Sequence, residues 1–501
     1  MRILTADEIK NVEKLAFEKY FTEAELMKKA GEECYKKIIK YYGEEIKSKK
    51  VSVVCGNGKN AGDGFVIAKM LLEFGAFPEI ILADKAPEIN EPKMYYDQAI
   101  NAGVKSLPFS KAVFDGVLIV DCIFGIGFHG EIGEPYKSVC NAVNSSDCIV
   151  VSVDTPSGVN ATSGCENGAV KADLTIAVST LKYCHVLPPA NECCGKTAVV
   201  NIGIPDDCFK DLYPQTITKS YVKSCFLKRK INSHKGDYGR QVNICGSYKM
   251  CGAAVICAKA ALKSGVGLLK CVFPKSIYSV LTSHLIQPLF SPVSENEDKT
   301  FSIGALTKIT EEIKWANSIV LGCGIGNNDD TQVLCNQIIK ESDVPVVIDA
   351  DGINSILGNI DVLRDAKTQP VLTPHPAEMA RLINESVDYV QLNRIEVAKA
   401  FAKDYNCVVV LKGANTVVTN GVDVFVNTTG NPGMAMGGTG DMLSGIIGSF
   451  IARGITPLKS AACAVYIHGL CGDITAKELS MSGMTVDDML ELLPALLSEF
   501  E

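Results

Sequence analysis

At 501 residues the chain exceeds what one hydrophobic core can hold, so two to four domains are expected. Its 47% hydrophobic and 21% charged residues are those of a well-packed globular protein, and a net charge of −8 removes the electrostatic case for nucleic acid. The twenty cysteines stand singly, apart from Cys193–Cys194, with no Cys-x-x-Cys pair and no zinc spacing, which points to reduced thiols and a cytoplasmic protein. No apolar run reaches ~18 residues and the N-terminus enters a charged helix directly, so neither a signal peptide nor a membrane span is expected.

Thr5-Ala-Asp-Glu8 is a capping box, and amphipathic helical text follows it to about Tyr42. Short apolar strands come next: Val51–Cys55, Glu79–Ala83, Val117–Asp121, Cys148–Asp154, Leu174–Ser179 and Thr197–Ile202. Helical spacers between most of them predict a parallel sheet covered on both faces. A second series runs through Gln241–Gly246, Leu268–Phe273, Ser318–Leu321, Pro345–Asp349, Val371–Thr373, Val408–Lys412 and Thr416–Thr419. The polar stretch Pro205–Phe226 between the two series has no strong helix pattern. The boundary is placed near 218, giving domains 1–217 and 218–501. The expected class is α/β: a Rossmann-like three-layer α/β/α domain followed by a second α/β domain.

In the first series, Val51–Gly64 is a strand that runs through a glycine-rich loop into a helix. Gly56-x-Gly58-x-x-Ala61 overlaps the dinucleotide fingerprint, and Asp84 lies at about the offset of a ribose-binding acid. Two further strand ends open beside it, Asp121 leading into Gly125–Glu131 and Asp154 leading into Ser157-Gly158. The carboxyl ends of parallel strands share one crevice, so Asn60, Asp121 and Ser157 are expected to gather oxygen ligands around a hard cation. Asp154 remains free to bind a ligand or move a proton. An NAD-dependent oxidoreductase is the alternative that Gly56–Ala61 leaves open.

Gly-Asn-Gly-Lys-Asn-Ala-Gly-Asp-Gly, Asp-Cys-Ile-Phe-Gly-Ile-Gly and Val-Asp-Thr-Pro-Ser-Gly together resemble the NAD(P)H-hydrate epimerase family over most of residues 50–160. The resemblance implies that Lys59, Asn60, Ala61, Gly62 and Asp63 contact a damaged nucleotide. Gly125, Ile126, Gly127, Phe128, His129, Gly130, Glu131 and Asp154 are implied to do the same, and Asp154 is the best-placed candidate to move the proton. Asn60, Asp121 and Ser157 are implied to hold K⁺. Lys59 stands where that family usually has Asn, and Ala61 where it usually has Gly.

In the second series, Gly246–Ala254 and Gly322–Gly326 are small-residue turns after strands. Thr373-Pro-His375-Pro-Ala-Glu378 fixes a histidine at a strand end, and Lys412-Gly-Ala-Asn-Thr416 joins two strands with a cation and free amides. Gly430–Gly448 is the most informative stretch, placing glycines and one acid, Asp441, at the mouth of an apolar helix. A helix start attracts anions, and glycines let amides approach a phosphate. A carboxylate there suits a general base for a hydroxyl attacking phosphorus.

With His234–Arg240, these motifs are similar to the ADP- or ATP-dependent NAD(P)H-hydrate dehydratases, relatives of ribokinase, over nearly all of residues 225–500. The resemblance implies a ribokinase-like fold, Ala253, Gly324, His375 and Asp441 on the hydrated substrate, and Asp441 as base. It implies Lys412, Gly413, Ala414, Asn415, Thr416 and Gly440 on the nucleotide. Met436 stands where the family more often has Thr. The expected whole is a bifunctional isomerase and lyase, using Mg²⁺ and ADP (or ATP), with small-molecule partners, a homo-oligomeric state and neither nucleic acid nor membrane. A vitamin or sugar kinase fused to a binding module is the runner-up, and regeneration of absorbance near 340 nm separates the two.

Overall fold

A computed structural model describes residues 1–88, 90–165, 168–209, 212–226 and 228–501. The chain divides into two compact units, Met1–Pro214 and Gln215–Glu501.

In the first unit the N-terminal helical text breaks once. Helices α1 (Ala6–Lys19) and α2 (Glu23–Ile46) are separate, because Thr22 and Glu25 form a second capping box like that of Thr5 and Glu8. After them come β1 (Lys50–Cys55), α3 (Lys59–Phe74), β2 (Phe77–Leu82), α4 (Asn90–Asn101), β3 (Lys105–Pro108) and β4 (Leu118–Cys122). Then follow α5 (Tyr136–Asn144), β5 (Ile149–Val153), β6 (Leu174–Val178) and β7 (Lys196–Val200). The sheet order is β7-β6-β5-β4-β1-β2-β3, and every pair is parallel. Alternate residues feed two cores: Val51, Val53 and Cys55 join one, and Val54 joins the other with Ile81 and Ile119. Strand order reverses between β1 and β4, and there the carboxyl ends open a crevice. Strand β3 escaped the sequence pattern because it is a short edge strand with no buried residue.

The second unit begins with β8 (Gln215–Thr216), followed by a helix Lys219–Cys225 that the sequence pattern does not predict and that Thr218 caps. Lys210 and Asp211, inside the polar stretch Pro205–Phe226, lie outside the described residues. The unit continues with β9 (Arg240–Ile244), α6 (Cys251–Lys263), β10 (Leu268–Pro274), β11 (Leu289–Val293), β12 (Ser318–Leu321) and α7 (Asp329–Glu341). Next are β13 (Val346–Ile348), β14 (Val371–Leu372), α8 (Pro376–Ile383), α9 (Arg394–Asp404), β15 (Val408–Leu411), β16 (Val417–Thr419) and β17 (Val424–Val426). Helices α10 (Thr439–Ala452), α11 (Pro457–Leu479) and α12 (Val486–Leu497) complete it. The ten strands run β8-β17-β16-β15-β14-β13-β12-β9-β10-β11, antiparallel only at β15–β16 and β16–β17. Helix α10 lies close against α6, because a Cβ at Gly445 would stand 2.3 Å from the Cys257 carbonyl oxygen.

Candidate active sites

At the switch point of the first unit, the loops after β1 and β4 cross so closely that a Cβ on Gly56 would stand 2.5 Å from the Ile123 carbonyl oxygen. Gly58 caps α3, whose first turns carry Asn60 and Asp63. A cavity of about 840 Å³ opens here, lined by Lys59, Asn60, Asp63 and Asp154 and by Gly125–His129 and Glu131. That volume suits a ligand of nucleotide size. Ala61 is fully buried, a Cβ on Gly62 would overlap the Met27 sulfur, and neither residue lines the cavity. Gly130 is likewise absent from the lining. Lys59 is paired with Glu23 at 2.7 Å and faces the Phe17 ring.

Below the cavity floor Asp121 and Ser157 are fully buried and joined directly, Oγ to Oδ1 at 2.5 Å. The carboxylate also accepts from the Ser152 hydroxyl and from the Ser157 and Ile123 N–H groups. Burial lifts the Asp121 carboxyl above its ordinary range, and these donors oppose that rise. The Phe124 N–H donates to Ser157 Oγ at 3.0 Å. Asn60 donates through Nδ2 to the carbonyls of Phe124 (2.8 Å) and Val153 (3.2 Å), whereas its buried Oδ1 has no hydrogen-bond partner. The three predicted cation ligands thus converge on one loop.

Asp154 adopts φ +69°, a strained conformation for a non-glycine residue and one that collects at functional sites. Its Oδ1 accepts from the buried Lys182 ammonium and from the Val178 N–H. Its Oδ2 faces Gly125, where a Cβ would stand 3.4 Å away. His185 holds the Asp154 carbonyl through Nε2 at 2.8 Å and accepts from the Lys182 N–H through Nδ1 at 2.9 Å. Burial first, then Lys182, push the His185 imidazole down to about 4, so it is neutral. Sequence reasoning missed Lys182 and His185. The Lys182-Tyr-Cys-His185 spacing held the signal, but nothing local ties it to Asp154.

In the second unit Asp441 is the third residue of α10, and Gly438 caps the helix at φ +95°, a conformation that favours glycine. Burial, then the Cys323 sulfur and Asp349, push the Asp441 carboxyl up to about 9, with Lys412 opposing. Lys412 extends from the end of β15 and donates to Asp349 Oδ1 at 2.7 Å; Ser444 donates to Asp349 Oδ2 at 2.8 Å. Burial raises the Asp349 carboxyl, but Lys412 and the hydroxyls of Thr373 and Ser444 outweigh it and hold it below the ordinary range. A Cβ on Gly440 would lie 3.4 Å from Lys412 Nζ, so the helix mouth and the cation adjoin. Asp349 closes a predicted strand, a signal that went unused.

Gly324 and Ala253 meet, a Cβ on the former lying 2.9 Å from the methyl of the latter. In the loop from Gly413 through Ala414 and Asn415, the Thr416 hydroxyl bonds the Gly413 carbonyl at 3.0 Å. Fully buried Arg394 donates to the Leu411 and Lys412 carbonyls, at 2.9 and 3.1 Å, and so fixes where Lys412 leaves its strand. His375 also has a structural role, since its Nδ1 accepts from the Ala377 and Glu378 N–H groups as the N-cap of α8. Met436 is half-buried against the core.

A family profile described as NAD(P)H-hydrate dehydratase matches residues 242–495, and one described as YjeF-related protein N-terminus matches residues 23–184. The bifunctional NAD(P)H-hydrate repair enzyme of Moorella thermoacetica is 31% identical over 100% of this chain and 97% of its own. The enzyme of that name from Coxiella burnetii is 33% identical over 98% of each. Among solved structures, the ADP/ATP-dependent NAD(P)H-hydrate dehydratase from Bacillus subtilis, co-crystallized with ATP/Mg²⁺, is similar at 28% identity. Its TM-score is 0.50, and the match covers 57% of this chain and 99% of that one. A ribokinase-like superfamily protein from Enterococcus faecalis, 24% identical with TM-score 0.50 over 58% of this chain and 99% of its own, shares the fold. The chain belongs to the bifunctional NAD(P)H-hydrate repair enzymes, which join epimerase and nucleotide-dependent dehydratase activities in one polypeptide.

Proposed function

We propose that the two units divide the repair reaction. Residues 1–217 interconvert the R and S hydrates of NADH and NADPH, and residues 218–501 dehydrate the S form at the expense of ADP. Hydration of the nicotinamide 5,6 double bond puts a hydroxyl on C6. In the second unit Asp441 takes the proton of that hydroxyl as it attacks the terminal phosphorus. Lys412, held by Asp349 and aimed by Arg394, and the amides of Gly437–Gly440 receive the growing charge. Phosphate then leaves C6 as the ring nitrogen donates its pair, and loss of a C5 proton restores the double bond.

Asp349, whose ligand atom lies within 4.8 Å of those of Asp441 and Cys323, offers a hard oxygen that suits Mg²⁺; the Cys323 thiol does not, and Asp441 is kept for the proton. That ion would screen the phosphate charge. In the first unit the orphaned Asn60 Oδ1, on a residue that shares the Ile123–Phe124 loop with Asp121 and Ser157, fits K⁺, which would order the floor under the substrate. The free thiols of the described cysteines support a reducing cytoplasm.

The observation that carries this reading is the Asp441 carboxyl at a glycine-built helix mouth beside a buried Lys412–Asp349 pair. Incubation of the hydrated NADH epimers with ADP and Mg²⁺ tests it. Absorbance at 340 nm should return with one phosphate released per cofactor, whereas a phosphorylated product without that absorbance would sink it.

A further inference from the structure

Among the carboxyls that line the cavity of the first unit, Glu13 is one that the reading above does not use. Glu13, on α1, lines the same space as Asp154. Two of the neighbouring acids are already engaged. Glu23 is tied to Lys59 at 2.7 Å, and Asp154 to Lys182. Glu13 makes no hydrogen bond or ion pair among the described residues. Resting on the assignment of epimerisation to this unit, we propose that Glu13 is the second proton-transfer group of that reaction: it protonates the hydroxyl leaving C6 while Asp154 takes the proton of the water that replaces it.

The step balances without a co-reactant. The C6–O bond breaks with its electron pair on oxygen, Glu13 supplies the proton that makes water, and the N1 lone pair closes a C6–N1 double bond. Water then adds to the other face of C6, N1 recovers its pair, and the surplus proton passes to the free Oδ2 of Asp154. Solvent returns that proton to Glu13. No atom changes oxidation state between the two epimers.

The groups facing Glu13 suit proton transfer. Burial raises its carboxyl first; Asp154 adds to the rise, Lys182 and Lys59 oppose it, and Glu23 adds again, leaving it at about 7. Asp63 of α3 also feels Glu13, and burial first, then Asp154, raise its carboxyl well above the ordinary range. Lys10, one turn earlier on α1, and Glu131 and Glu134 also belong to the charged lining. A group that titrates near the working pH is the better proton carrier.

The test uses the full chain without nucleotide, so that only epimerisation is read, with pure R hydrate as substrate and spontaneous conversion subtracted. Glu13→Gln should lower kcat at least 100-fold with KM within threefold, and the fall of kcat/KM above pH 7 in the unsubstituted protein should disappear. Glu13→Asp should restore at least a tenth of the rate. Product formed in ¹⁸O-water should carry the label. Thermal unfolding of the first unit should be unchanged in Glu13→Gln, which certifies its folding, since dehydration of S hydrate with ADP reads the second unit. A Glu13→Gln rate within threefold, an alkaline limb that persists, or retention of the original oxygen overturns the proposal. Absence of R-to-S turnover in the unsubstituted protein would instead overturn the assignment of epimerisation to this unit.

Discussion

Replacing Asp441 by Asn preserves the shape of the residue at the mouth of α10 and removes its ability to accept a proton. A lost general base costs about 10²–10⁴-fold, equivalent to roughly 3–5 kcal/mol of transition-state stabilisation at 1.36 kcal/mol per decade. Dehydration of pure S hydrate, followed at 340 nm with ADP and Mg²⁺, should fall by that factor. R-to-S conversion should stay within twofold. The folded carboxyl sits near 9 against an ordinary 3.8, so the native state binds this proton more tightly than the unfolded chain does. Ionising it therefore costs stability progressively as pH rises from about 4 to about 9, a loss that Asn cannot suffer. Thermal unfolding should show Asp441→Asn gaining on the unsubstituted protein across that window and levelling off above it. Dehydration within threefold of the original rate would refute the base assignment. A stability difference independent of pH would refute the buried-carboxyl argument.

Four further outcomes follow from the two sites. In the free enzyme Asp441 must lose its proton to act, so kcat/KM for dehydration should climb with pH toward about 9; a profile flat from pH 6 to 9 contradicts this. Lys182→Met strands the Asp154 carboxylate, and breaking such a buried pair costs about 3–5 kcal/mol; denaturation should register that loss, and adding Asp154→Asn should recover at least half. Potassium at constant ionic strength should raise the unfolding temperature of the first unit, an effect that Asn60→Ala should abolish; an equal rise in both proteins would exclude Asn60 as a ligand. ADP should support dehydration at least tenfold better than ATP, and the reverse ratio would overturn the donor assignment.

Much of both sites was legible because their residues lie in short glycine-rich runs after apolar strands, where backbone needs restrict sequence. Asp121, Asp154 and Asp441 could be placed from the chain alone for that reason. The break between α1 and α2 was legible too, in Thr22-Glu-Ala-Glu25, had the helical periodicity not run past it. Strand β11 was harder, as an edge strand with Leu289 exposed and Pro292 inside it. Partnerships formed by the fold left no local trace. Lys182 reaches Asp154 across 28 positions, Lys412 reaches Asp349 across 63, and Arg394 looks like any helix arginine until β15 packs beside it. His375 shows the opposite limit: prolines on either side fixed its place, but its Nδ1 also caps a helix.

The division of labour between the units is tested most directly by complementation. Asp154→Asn and Asp441→Asn chains are assayed singly and as an equal mixture on pure R hydrate with ADP and Mg²⁺, reading 340 nm. Each variant alone should restore almost no NADH, and the mixture should restore it at a rate approaching that of the unsubstituted protein, because S hydrate made by one is consumed by the other. A mixture no more active than its components, while Asp154→Asn still repairs pure S hydrate and Asp441→Asn still epimerises, would contradict two independent sites joined by a released intermediate.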